Sequence, residues 1–213
     1  MTKGNTKAVL TVEKVGKVDL PAPDIFFGND KMEVTDTDIY KSDQAFTQGQ
    51  MITVTGIDNL NEWWIDPDFF EKQSDGALKF LPINGDYRVT ANAVLKYFSV
   101  MALKDGKPAK LQDDGTGAIW AIGKGIGKPS VTSSEVGWEP SKALCLAQVA
   151  SKKYQLTLKA GETLKTSGDP EVISFKFFHQ NDWGGEFGNY ASSILVEQLK
   201  LADSGNLEMQ DNK

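Results

Sequence analysis

Cysteine and histidine each occur once in the 213 residues. The lone Cys145 has no partner for an intrachain disulfide. Its setting, Ala143-Leu144-Cys145-Leu146-Ala147, is that of a buried, inert thiol. The lone His179 excludes a two-histidine metal motif and a histidine-based zinc site. A Ser-His-Asp triad would have to rest on His179, and no G-x-S-x-G elbow accompanies it. Walker loops are absent, and no G-x-G-x-x-G opens a helical pattern. The run Gly123-Lys124-Gly125-Ile126-Gly127-Lys128 has no following helix to aim amides at a phosphate, and it reads as a loop. Basic residues are in deficit. Lys and Arg number 23 against 29 Asp and Glu, a net charge of −6. Counterion release needs clustered cations, so nucleic acid is a poor partner. No apolar run approaches the roughly 20 residues of a membrane helix. Polar residues follow Met1, so no signal peptide is expected in this chain. Nothing calls for a metal or a cofactor.

Strand patterning is plentiful. Tyr154, Leu156 and Leu158 alternate with Lys153, Gln155 and Thr157. Ile173, Phe175 and Phe177 alternate with Ser174 and Lys176, and Tyr87, Val89 and Ala91 with Arg88 and Thr90. Period two places one face on a core and the other toward solvent. Further strands are expected at 6–13, 51–56, 77–83, 94–103, 117–123 and 143–149. Asn84-Gly85, Asp105-Gly106, Asp114-Gly115, Ala160-Gly161 and Ser167-Gly168 supply turns between them. About nine short strands with such turns predict an all-β sandwich, immunoglobulin-like or of the carbohydrate-binding-module type. Residues 28–49 read as polar and irregular. Residues 190–201 fit a short helix or an edge strand.

The aromatic residues point toward function. On a strand, the adjacent Trp63 and Trp64 would face opposite sides. Trp138 in Gly137-Trp138-Glu139-Pro140 and Trp183 in Asp182-Trp183-Gly184-Gly185 have turn-like contexts. A loop-mounted indole suits the C–H face of a sugar ring. The competing reading is a lid over the core. Trp120, inside Ala118-Ile119-Trp120-Ala121-Ile122, reads as core. With Ile173, Phe175 and Phe177 inward, Lys176 and Phe178 point outward together, a donor beside an apolar ring. Glu62, Asp66 and Asp68 flank the first tryptophans, but their spacing singles out no glycosidase pair. Asp66-Pro67-Asp68 reads as a turn with a capping Asp.

One stretch, 127–188, resembles a known family. It runs from Gly127 through Gly137-Trp138-Glu139-Pro140, Ala143-Leu144-Cys145-Leu146 and Tyr154-Gln155-Leu156-Thr157-Leu158-Lys159-Ala160-Gly161 to Ile173-Ser174-Phe175-Lys176-Phe177 and Trp183-Gly184-Gly185-Glu186-Phe187-Gly188. A GW-x-P segment, a Y-x-x-T-L-x-A-G strand, an F-K-F strand and a following W…G recur in that order in the starch-binding modules of SusE/SusF-type outer-membrane proteins. The resemblance implies a non-catalytic, glycan-binding β-sandwich. Such modules stand in tandem on a lipid-anchored surface protein of a Bacteroidetes-type polysaccharide utilisation system. The implied partners are a polysaccharide or oligosaccharide and outer-membrane importer components. The implied contact with the membrane is through a lipid anchor on the parent chain. The implied site residues are Trp138, Lys176 and Trp183, to which the strand pattern adds Phe178. An extra loop from Thr163 to Pro170 departs from the family pattern, so the ligand need not be starch.

Family modules end in a G-N-x-K-A-V-L-T-V-E-K strand, whereas here Gly4 to Lys14 carries it at the start. Residues 1–23 are therefore expected to be the last strand of a preceding module plus a linker. Residues 24–213 are expected to form the glycan-binding module, 50–126 its first half and 127–213 its SusE/SusF-like half. A structural or protein-docking module anchored by Trp63 and Trp64 is the alternative, and a glycoside hydrolase a more distant one.

Overall fold

The computed structural model describes residues 22–187 and the backbone of two further strands, Leu199–Leu201 and Leu207–Met209. The expected strand 6–13, and most of 190–201, lie outside the described residues; 199–201 is a strand. Among the described residues the chain is nearly all β, as the alternation predicts. Its α-helix is the four-residue Val131–Ser134, capped by Ser130, whose hydroxyl accepts from the Ser133 amide. No helix there is long and apolar enough to cross a membrane.

Two antiparallel sheets dominate. The first has the order Lys107–Pro108, Tyr97–Lys104, Gly85–Asn92, Ile39–Phe46, Glu33–Asp36. Its central strand shows the predicted alternation, with Tyr87, Val89 and Ala91 buried. Residues 28–49 are not irregular. They hold Asp30–Lys31, Glu33–Asp36 and the eight-residue Ile39–Phe46. Polar residues there, such as Lys41 and Asp43, occupy the outer face, while Tyr40 and Phe46 reach the core. The cross-strand pair Asp43 and Arg88 carries a two-bond ion pair at 2.7 and 2.6 Å.

The second sheet runs Glu135–Gly137, Trp120–Gly127, Ser174–Phe178, Leu207–Met209, Leu199–Leu201, and Leu144–Cys145 also pairs with Trp120–Gly127. The glycine-rich run expected to be a loop is thus the buried centre of this sheet. Its glycines answer to close approach. A Cβ on Gly123 would lie 2.3 Å from Phe175 Cα, and one on Gly127 would lie 2.4 Å from the Ser134 carbonyl oxygen. The alternation from Tyr154 to Leu158 yields a strand only over Lys153–Gln155. Beyond it, Thr157 turns its amide and hydroxyl to Asp68.

One apolar core runs through both sheets. Trp63 stacks on Phe98 at 4.8 Å, Phe27 meets Phe98 at 5.2 Å, and Phe80 meets Tyr87 at 4.9 Å. Full burial of each such ring stabilises by roughly 1.5–3 kcal/mol. Trp120 is fully buried, as predicted, and its indole N–H donates to the Ala109 carbonyl at 3.0 Å.

A buried charge cluster pins the two parts of the chain together. Lys128 Nζ donates to both oxygens of Asp66, at 2.9 and 2.8 Å, and to Asp68 Oδ2 at 2.8 Å. Asp68 also accepts from Gln155 Nε2 at 2.9 Å, the Thr157 amide at 2.7 Å and the Thr157 hydroxyl at 2.6 Å. All three lysine donors are used, which is what makes a buried ammonium tolerable. The Asp66-Pro67-Asp68 turn exists, since the Asp68 amide donates to Asp66 Oδ1 at 3.0 Å, but its carboxylates serve this cluster.

Candidate functional site

The strand Ser174–Phe178 leads into a tight loop. The His179 amide donates to the Gly185 carbonyl at 2.8 Å, and the Phe187 amide to the Phe177 carbonyl at 2.9 Å. Gly184 and Gly185 take positive φ of 83° and 67°, which lets the chain reverse in so few residues. Gln180 Nε2 holds the Trp183 carbonyl at 2.6 Å. Trp183 is carried at the tip. Its side chain is 49% accessible, the one exposed large aromatic among the described residues.

Trp138 comes from the far side of the strand Trp120–Gly127, at the edge of the sheet. It follows Glu135–Gly137, where Gly137 turns the chain with φ 58°. The short 3-10 turn Pro140–Lys142 then fixes the backbone, and Lys142 pairs with Glu139 at 2.9 Å. Trp138 is half-buried and packs on the core. The two indoles meet, with ring centroids 6.3 Å apart and planes 26° from parallel. Neither indole N–H donates within the described residues.

Phe178 is not on the surface. It is fully buried, with its ring 5.9 Å from Trp183 in an edge-to-face contact. The strand does place Lys176 and Phe178 on one face, beside Ile122 and Trp120 of the neighbouring strand. That face is itself covered at the Phe178 end, where the Trp183 ring lies against Phe178 and leaves it no exposure. Phe178 is therefore the floor beneath Trp183. Lys176 is half-buried and makes no ion pair among the described residues.

The loop from Thr163 to Pro170 packs at the far end of the central strand. The Lys165 amide donates to the Gly125 carbonyl at 2.9 Å, away from the Trp120 end where Phe178 pairs.

A cleft of about 620 Å³ flanks the Trp138 segment. Gly137 and Glu139, on either side of Trp138, belong to its wall, and Asp66, Lys128 and Cys145 also line it. Burial pushes the Cys145 thiol up to about 12, so it stays protonated and inert. Burial also raises Asp66. Asp68 is buried as well, but the Lys128 charge and the hydrogen bonds from Lys128 and Thr157 outweigh that and hold it below the usual carboxylate range. A second hollow of about 540 Å³ is lined by Trp63, Trp64, Pro67 and Phe70. Trp63 is buried, and Trp64 is half-buried with Lys128 Nζ 6.0 Å from its ring centre. Neither is an exposed anchor. Among the described residues no group of three or more His, Cys, Asp and Glu side chains is placed to hold a metal.

Turn context and the resemblance single out Trp138 and Trp183, and the structure brings their rings together. The Asp66–Lys128–Asp68 cluster was not legible in the sequence, because no local spacing links residues about 60 apart in the chain.

Two family models cover the chain in tandem. Residues 12–111 match a domain of unknown function (DUF5125), and residues 114–213 match another (DUF5121). No curated protein and no solved structure matches the chain. The Lys128 cluster joins the two matched segments, since Asp66 and Asp68 lie in the first and Lys128, Gln155 and Thr157 in the second.

Proposed function

We propose that this tandem DUF5125–DUF5121 chain is a non-catalytic, glycan-binding β-sandwich. In this reading it captures polysaccharide at the cell surface for an outer-membrane uptake system of the SusE/SusF type. The observation that carries the reading is the exposed indole of Trp183 stacked against Trp138, with neither indole N–H donating among the described residues. A presented indole, Trp183, backed by the core-packed Trp138 and held by a tight turn, forms a preorganised apolar platform. A sugar ring lays its C–H face on such a surface while donors at the edge meet its hydroxyls. Lys176, on the strand beneath, supplies a cationic donor on the Phe178 face. Binding by one short platform is weak, and tandem copies on a parent chain raise avidity.

Affinity gel electrophoresis against a panel of neutral polysaccharides tests the proposal. Wild-type protein is expected to be retarded by at least one glycan, and Trp183→Ala to run as in a glycan-free gel. Unretarded wild-type protein across the panel would refute it.

A further inference from the structure

We infer that the cleft beside the Trp138 segment is a second subsite for a neutral, polyhydroxylated chain, taking the part of a glycan that runs past the Trp138–Trp183 platform. Its volume, about 620 Å³, lies within the roughly 300–1,000 Å³ of small-ligand sites. The wall carrying Gly137 and Glu139 is the same turn that carries Trp138, so platform and cleft share one rim. The opposite wall is the strand Tyr97–Lys104. Leu95 stands on the cleft lining, 37% accessible.

The chemistry of the lining selects the ligand. Its charges are already engaged. Asp66 holds Lys128, Glu139 holds Lys142, and Glu135 accepts from the Gly125 amide at 3.0 Å and from the Ser167 hydroxyl. An ionic ligand would have to compete with these contacts. By contrast, the hydroxyls of Ser99, Thr132 and Ser141 make no hydrogen bond within the described residues and face the cleft lining. Uncommitted hydroxyls with apolar surface between them match alternating hydroxyl and C–H groups, which is the surface of an uncharged sugar chain.

The proposal rests on the platform reading for the class of ligand, and the test separates the two. Protein labelled with methyl-¹³C methionine and indole ¹⁵N tryptophan is titrated with neutral gluco-, manno- and xylo-oligosaccharides. Each is used as a trisaccharide and as the longest soluble homologue. Met101 lines the cleft and reports on it, while the Trp138 and Trp183 indoles report on the platform. The trisaccharide is expected to move the indole signals alone. The longer chain is expected to move Met101 as well and to bind more tightly by on the order of tenfold. Leu95→Trp, at an exposed position on the cleft lining outside the turn that carries Trp138, is expected to remove the Met101 shift and the tenfold gain while leaving trisaccharide binding unchanged. Indole shifts without a Met101 shift at any length overturn the subsite and leave the platform standing. A Met101 shift without indole shifts overturns the platform and keeps the cleft. No shift in either set, with all series, overturns both.

Discussion

Trp183 stacks on Trp138 with ring centroids 6.3 Å apart, yet the two indoles reach that contact from opposite edges of a three-strand unit. Trp138 is packed on the core, whereas Trp183 is 49% accessible and stands over Phe178. The pair is thus asymmetric, one anchored ring and one presented ring. Trp183→Ala should lower folding stability by about 1 kcal/mol, the loss of exposed aromatic contacts. Trp138→Ala should cost about 3 kcal/mol, since it opens a gap against the core. Urea denaturation of the two variants measures this order, and the reverse order would contradict the anchored role of Trp138.

Lys128 is the only cation facing Asp66 and Asp68 among the described residues, and it is itself buried. Lys128→Met leaves two buried carboxylates without their counterion and should cost about 3–5 kcal/mol. The exposed pair Lys96 and Glu62 provides the comparison, and Lys96→Met should change stability by less than about 1 kcal/mol. Equal effects of the two changes in urea midpoints would show that the buried cluster does not hold the two matched segments together.

The pH dependence follows from the carboxyls that the fold shifts, among them the exposed Asp114, lowered by the hydrogen bonds it accepts from the Thr116 hydroxyl and amide. The Arg88 guanidinium beside Asp43 holds that carboxyl below its usual range, and Asp68 is held low by the Lys128 and Thr157 contacts that outweigh its burial. A carboxyl lowered in the folded state contributes its full stability above the ordinary value near ~3.9 and loses it as pH falls through the folded value. Asp66 works in the opposite sense. Burial raises it, so protonation favours the folded chain as pH falls toward the ordinary value. Stability should therefore hold on acidification down to about pH 4 and fall below it. Asp68→Asn should flatten that fall. A loss centred above pH 5, measured as urea midpoint against pH, would contradict the assignment.

The glycine-rich strand offers a steric test. Gly123 has φ 149°, and an added Cβ would meet Phe175 Cα and the Ser174 carbonyl oxygen, both at 2.3 Å. Gly123→Ala should separate the central strand from Ser174–Phe178 and destabilise by at least about 3 kcal/mol. Gly76→Ala makes the contrast, since its added Cβ has nothing within 4 Å, and only its positive φ of 86° counts against it. That strain should cost about 1 kcal/mol. Similar thermal midpoints for the two variants would argue that the strands do not approach so closely.

The all-β character was legible from period two at Tyr87, Val89 and Ala91, and the core role of Trp120 from its apolar neighbours. The same logic misplaced Phe178. Alternation assigns a residue to a face, and here the second face is covered as well. Glycines between 123 and 127 looked like a loop because composition alone does not distinguish a flexible turn from a strand pressed between neighbours. Asp66 and Asp68 looked like turn residues because the lysine that gives them their role lies on a distant strand's end. For the candidate site, turn context found both indoles. Their stacking on one another is a tertiary fact that turn context alone does not specify.

The most direct test of the central claim is calorimetric titration of a retarding glycan into wild-type protein, Trp183→Ala and Trp64→Phe. The account predicts saturable heat for wild type and Trp64→Phe and none for Trp183→Ala, with all three proteins folded by circular dichroism. Unchanged binding by Trp183→Ala, or binding lost only in Trp64→Phe, would contradict it and move attention to the hollow beside Trp63 and Trp64.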